Sequence, residues 1–217
     1  MSEEVEIKQE VVKTEPGLYQ IFIKGKIDNE EMRDHFESIN GLPYGSGLII
    51  WLSSPGGIPQ VALMFDDKLR AKGLNVTYIS YLFNGSTACT LPHLSDAIRL
   101  TYHHSVFTFH GATVSVCNRK GQFEMVKNYA DEGIEKINTL MMETIGLTKK
   151  EFRKYDENDI IVYGYTLLDV GTHGMIDGLI LKEIDVGQFL IKTRDGNKII
   201  DVSKHKRSDI KDLPLVE

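Results

Sequence analysis

The chain has 217 residues, 41% apolar, 26% charged and 9% aromatic, with a formal net charge of -6; that suits one well-buried α/β domain with decorations and excludes a disordered or fibrous chain. The acidic balance, without a basic stripe, argues against a nucleic-acid binder, because phosphate contacts need concentrated basic surface, and no apolar run approaches the ~20 residues that span a bilayer. The two cysteines, Cys89 and Cys117, stand in small or apolar surroundings without metal-ligand spacing, as in a reduced intracellular chain.

Residues 1–17 read as a mobile polar arm or an edge addition, closed by the turn signal Glu15-Pro16-Gly17. Its first fifteen residues carry five glutamates against two lysines, the reverse of a signal peptide's basic start, so a cytoplasmic protein is expected. The domain proper is expected over 18–185. Leu18–Ile23 is a strand candidate, and the polar amphipathic segment 29–39 reads as a helix. The continuous apolar run 47–52 then enters Ser53-Ser54-Pro55-Gly56-Gly57, the pattern of a buried parallel strand running into a tight turn. Val61, Leu63, Met64, Phe65 and Leu69 supply a helical face that Gly73 can end, and 76–81 is a second buried strand. Strand, turn, helix, strand is a βαβ unit, with the right-handed crossover such units almost always take.

The pattern repeats with a short helix over 86–94 and strands over 97–101 and 105–109, the last delivering His110. Phe123, Val126, Ala130, Ile134, Ile137, Met141 and Ile145 recur at spacings of three and four and predict a long amphipathic helix, stopped by Gly146. Such a helix either lies on the core or projects for oligomerisation. Thr148-Lys149-Lys150-Glu151 has the form of a capping box opening a short helix through Tyr155. Another short helix is expected from Thr166 to Gly174, followed by a turn and strand over 175–180. Segments 189–193 and 198–202, joined across Arg194-Asp195-Gly196-Asn197, form a hairpin. With a charged tail in the final residues, this makes 186–217 an addition to the domain.

Chemistry concentrates at predicted strand ends. The Gly56-Gly57 turn can expose backbone N–H groups at the mouth of the sheet, where two donors can hold an oxyanion. Ser86, in Asn84-Gly85-Ser86-Thr87-Ala88, also follows a buried strand and opens a helix; its plain structural role is an N-cap, and it becomes a nucleophile only with a base in reach. Of the seven histidines, His103 and His104 read as turn residues, His35 and His205 fall in exposed polar segments, and His93 and His173 belong to helices. His110 alone shares a strand-end rim with Ser86 and the glycine turn, as a general base would.

Read in order, Ile21-Phe22-Ile23-Lys24-Gly25-Lys26-Ile27-Asp28, Ser54-Pro55-Gly56-Gly57, Asn84-Gly85-Ser86-Thr87-Ala88, Phe109-His110-Gly111 and Gly174-Met175-Ile176-Asp177 resemble the landmarks of the proteolytic subunit of the ATP-dependent Clp protease. The resemblance covers about residues 18–181 and implies an α/β fold, a ClpP/crotonase-like spiral of ββα units. It also implies a long projecting handle helix, near 122–146, that builds stacked rings, with the C-terminal hairpin as an addition. It further implies serine endopeptidase chemistry on polypeptides: Ser86 attacks, His110 takes its proton, and backbone N–H groups of Gly56, Gly57 and Thr87 hold the oxyanion. The third member of the triad falls at Asp159, with Asp156 and Asp169 as substitutes, because the chain between Asp159 and Gly174 runs a few residues longer than the family pattern. No metal or organic cofactor is implied; a homo-oligomer and an AAA+ unfoldase partner are. Thr87 and Cys89 depart from the usual methionine and small residue, Phe83 from glutamine, and Gly111-Ala112 from Gln-Pro, which marks a divergent member. Two alternatives share the architecture: a crotonase-like acyl-CoA enzyme using the same oxyanion hole, and a scaffold without catalysis.

Overall fold

The computed structural model describes residues 12–15, 17–110, 123–156 and 159–216. Most of the arm, Gly111-Ala112 and Cys117 therefore lie outside the described residues. Within them the chain is mixed α/β, built on one sheet of ten strands. β1 (Val12–Glu15) pairs antiparallel with β2 (Leu18–Ile23) at the edge, so the described end of the arm is an edge strand. α1 (Arg33–Gly41) starts four residues later than the pattern suggested, because the Asp28 carboxylate accepts the Glu30 and Glu31 N–H groups in a turn of its own. That shift puts His35 and Ile39 on one buried face, so His35 is not an exposed residue.

β3 (Gly47–Ser54), α2 (Pro59–Ala71) and β4 (Asn75–Gly85) form the expected βαβ unit, with β2, β3 and β4 parallel. Proline suits the first turn of α2, where its missing N–H would have no partner, and Gly73, at a φ of 61°, carries the chain out of the helix. One face of the sheet, with Ile21, Ile23, Ile50, Leu52 and Tyr78, packs under α1 and α2.

β4 runs on to Gly85, four residues past the expected strand, and serves two partners. Its first half pairs with β5 (Ile98–Tyr102), and its last residues, Phe83 to Gly85, pair parallel with β6 (Val106–Phe109). Between the halves, Ser53 of β3 faces Tyr81, Leu82 and Phe83, a bulge that holds Leu82 at a positive φ of 53°. α3 (Thr87–Thr90) follows β4 and continues into a 3-10 turn over Leu91–His93.

α4 (Phe123–Ile145) is the long amphipathic helix. From Gly133, which lies against Gln60 of α2, it packs on the core through Ile137, Met141 and Ile145, whereas Lys127, Asn128, Asp131 and Glu132 are exposed. α5 (Lys149–Asp156) opens on the predicted capping box: Thr148 and Glu151 bond each other's backbone N–H groups at 2.9 and 3.3 Å. β7 (Ile160–Tyr163), which sequence reasoning missed, pairs antiparallel with β6, and the helix expected from Thr166 is a 3-10 turn over Gly164–Asp169.

β8 (Gly178–Asp185) returns parallel to β5, and β9 (Gln188–Lys192) with β10 (Asn197–Asp201) extends the same sheet as an antiparallel hairpin. Phe189, Ile191, Ile200 and Val202 pack with Leu18, Ile49 and Ile79 and close the second face. The last residues are not a loose charged tail. A 3-10 turn over Arg207–Asp212 buries Ile210, which packs with the partly buried Leu213 on the core, and the exposed Leu215 joins Lys198 through a backbone bridge.

Candidate active site

A third apolar cluster lies beneath one rim of the sheet. Phe107 and Phe109 of β6 pack with Met141 and Ile145 of α4 and Phe152 of α5, so the strand that ends at His110 is anchored on alternate residues. Above it, Ser86 sits at the turn from β4 into α3 with φ 51° and ψ -125°, a conformation natural to glycine and costly for serine, by roughly 1–3 kcal/mol. Although Ser86 occupies the N-cap position, its side chain makes no capping hydrogen bond. Its N–H donates to the Thr108 carbonyl at 2.9 Å, which fixes the Ser86 turn to β6 two residues before His110.

Gly56 is pressed against this turn. A Cβ there would overlap the Gly85 carbonyl oxygen and stand 2.8 Å from Ser86 Cβ and 2.9 Å from the Thr87 nitrogen. Only glycine allows that approach, and its φ of 91° requires glycine as well. The Gly56 N–H is taken by Ser54 Oγ at 3.0 Å, so Gly56 contributes close approach and not a free donor. The Gly56 carbonyl accepts the Ile27 N–H at 3.0 Å, and the Ile27 carbonyl accepts the Ile58 N–H at 2.7 Å. In a trans peptide the N–H opposes the carbonyl, so the Gly57 N–H points away from Ile27. Thr87 begins α3, and the first N–H groups of a helix have no intrahelical acceptor. Among the described residues, the Gly57 and Thr87 N–H groups are thus left without an acceptor, one in the turn pressed against Ser86 and one next to it in the chain.

The last ladder pair of β6 and β7 is Phe109 with Ile160, so His110 is the residue that follows β6 and Asp159 the residue that precedes β7 at the same end of the ladder. Both are exposed. Asp156 ends α5, and Asp169 ends the 3-10 turn past the far end of β7. Of the three acidic candidates, Asp159 is thus the one that follows the end of the ladder beside His110, and Asp169 lies at the opposite end of β7. The run Ile160-Ile161-Val162-Tyr163 after an Asp-rich turn was a readable strand signal. The roles of Ser54 and Ile27 had no such signal, since both depend on contacts distant in sequence.

Cys89, three residues after Ser86, is not placed to react. It is buried with its Sγ directed at the Asn84 and Thr108 carbonyls, and burial pushes its thiol far above the ordinary range. A cleft of about 650 Å³ lies elsewhere, between the C-terminal addition and the core. Three of its cations are already engaged: Arg194 donates to the Leu168, Gly171 and Thr172 carbonyls, Lys198 to those of Ile210 and Lys211, and Arg207 to Asp177. Among the described residues no cluster of His, Cys, Asp or Glu is placed to hold a metal ion, and no helix is long and apolar enough to cross a membrane.

With this geometry in place, comparison with solved structures shows likeness to the crystal structure of a peptidase from Plasmodium falciparum. The TM-score is 0.63 at 12% identity, covering 75% of this chain and 96% of that one. No family model matches the sequence, and no curated protein matches it. The chain therefore has a mixed α/β fold on which a peptidase is built.

Proposed function

We propose that the protein is a Clp-type serine endopeptidase that hydrolyses polypeptides through Ser86, His110 and Asp159. The observation that carries this reading is Ser86 itself: a strained serine whose side chain forgoes the capping bond its position invites, with a glycine turn pressed against it. Ser86 Oγ attacks the scissile carbonyl and His110 takes its proton and passes it to the leaving amine. Asp159 orients the imidazole, and the Gly57 and Thr87 N–H groups hold the tetrahedral oxyanion. Water then resolves the acyl-enzyme by the same route. Assembly into an oligomeric chamber is part of the proposal; Ile161 and Tyr163, exposed on the edge strand β7, support it by offering an apolar surface for another copy. An AAA+ unfoldase partner rests on the resemblance alone.

Labelling with a fluorophosphonate tests the chemistry. Wild type should label, and Ser86→Ala should not. His110→Ala should label more slowly by at least 10²-fold, the scale on which a general base contributes. A wild-type protein that stays unlabelled while its oligomer is intact by light scattering would remove the peptidase reading. Binding of an acyl-CoA that survives Ser86→Ala would favour the crotonase-like alternative.

A further inference from the structure

We propose that the Thr87 side chain is a positioning residue for the oxyanion turn: its hydroxyl, by bonding the Gly57 carbonyl, fixes the turn that carries the second donor. This rests on the serine peptidase reading. The N–H and carbonyl groups of Gly56, Gly57 and Ile58 can be taken one by one. The Gly56 N–H goes to Ser54 Oγ, the Gly56 carbonyl and the Ile58 N–H go to Ile27, and the Ile58 carbonyl accepts from Val61 in the first turn of α2. The Gly57 carbonyl accepts from Thr87 Oγ1 at 2.8 Å. What remains, among the described residues, is the Gly57 N–H.

That arrangement clamps the turn from two sides. Ile27 holds one side by a backbone bridge, and a Cβ on Gly57 would overlap the Ile27 carbonyl. The other side is held by a single side-chain bond, from Thr87. Gly57 lies between two peptide planes, and glycine's broad φ/ψ freedom would let them rotate independently. Ile27 grips one edge of each plane, at the Gly56 carbonyl and the Ile58 N–H. The Thr87 hydroxyl grips the opposite edge of the second, at the Gly57 carbonyl, so that this plane cannot pivot about its Ile27 bond, while the Thr87 N–H supplies the other donor. One buried residue, 5% exposed, thereby couples both halves of the oxyanion hole. Donors act in catalysis to the extent that they are already oriented when charge develops. The methionine usual at this position in the resembled family has no hydroxyl to make the bond.

Thr87→Val removes the hydroxyl at nearly constant shape, Thr87→Ser keeps it, and Thr87→Ala is a second hydroxyl-free form that cannot overpack. Two measurements separate the turn from the chemistry: amide hydrogen exchange over residues 54–58, and the fluorophosphonate labelling rate with kcat and KM on a fluorogenic peptide amide. Exchange at 54–58 should quicken about tenfold in Thr87→Val and Thr87→Ala, with β2 and β9 unchanged. Labelling and kcat should fall about tenfold with KM held, a loss confined to the transition state. Thr87→Ser should restore all of these. If wild type labels and both hydroxyl-free forms match it, the proposal is overturned and the peptidase reading stands. If wild type does not label, the peptidase reading falls whatever the exchange shows, and positioning falls with it. Unchanged exchange beside slower labelling would also overturn it, since Thr87 would then act by some route other than the turn.

Discussion

Two polar clusters in this fold are built in opposite ways. At the rim, Ser86 and Leu82 hold positive φ angles, the Gly57 and Thr87 N–H groups have no acceptor among the described residues, and His110 and Asp159 stand exposed. At the seam with the C-terminal addition, charge is matched to charge. Asp177 receives two guanidinium groups, Arg99 at 2.7 Å and Arg207 at 3.0 Å; Arg207 also reaches Asp96. Arg99 donates to His93 Nδ1 at 2.8 Å, which makes Nδ1 an acceptor and the ring neutral. Burial pushes the Asp177 carboxyl up, yet the Arg99 and Arg207 guanidinium groups outweigh it and hold the group below its ordinary value. The contrast is physical: the rim holds backbone strain and exposed side chains, whereas the seam pairs its buried charges.

The largest expected effect breaks the seam. Asp177→Ala would strand Arg99, whose side chain is 2% exposed, beside Arg207 and without its carboxylate. Losing one partner of a buried ion pair costs about 3–5 kcal/mol, read as a lower urea midpoint. The fluorophosphonate labelling rate per folded molecule should stay at the wild-type value. Intact stability with lost labelling would show that seam and rim are one site.

A smaller effect sharpens the same contrast through pH. His93 is fully buried, and desolvation, reinforced by the Arg99 and Arg207 charges, holds its imidazole well below the ordinary value. The unfolded chain therefore takes up this proton first as pH falls. Stability from His93 is complete above about pH 6.5 and declines below it, by at most ~1.4 kcal/mol per pH unit. His35, lowered chiefly by burial, adds a loss of the same sign. Asp177 has the depressed carboxylate's sign: its contribution is complete above about pH 3.9 and is lost as pH falls further. Denaturant titrations between pH 7 and 5 should show a shallower slope for His93→Gln than for wild type. An identical slope would mean that His93 is not held neutral by the seam.

The parallel core and the glycine turn were legible in the sequence because their signals are local: apolar runs, Pro-Gly-Gly, and a capping box whose bonds form as expected. What could not be read is what depends on pairing across the chain. The bulge at Leu82 arises from one β3 residue facing three on β4, and no property of Leu82 announces it. The 3-10 turn that buries Ile210 was hidden because isolated apolar residues among charges carry no period. At the rim, sequence chose Ser86, His110 and the glycines by their places at strand ends. It also named Gly56 as a donor, although the Ser54 hydroxyl takes that N–H, a contact only the folded turn creates.

The smallest expected effect has the opposite sign and bears most directly on the rim. If Ser86 is kept in its strained conformation for chemistry, removing its side chain should help the fold while ending the reaction. Ser86→Gly accepts φ 51° without steric cost but adds disorder to the unfolded chain, so the two effects partly offset. A net gain of roughly 0.5–1 kcal/mol is expected, the relieved strain of about 1–3 kcal/mol less a chain-entropy cost of about 0.5–1 kcal/mol, together with complete loss of labelling. Leu82→Gly makes the control, since it relieves a similar φ of 53° at an exposed bulge without touching the nucleophile. It should gain comparable stability and keep its labelling rate. If Ser86→Gly instead lowers the urea midpoint, the Ser86 hydroxyl is holding the fold together, and the rim belongs with the seam as architecture.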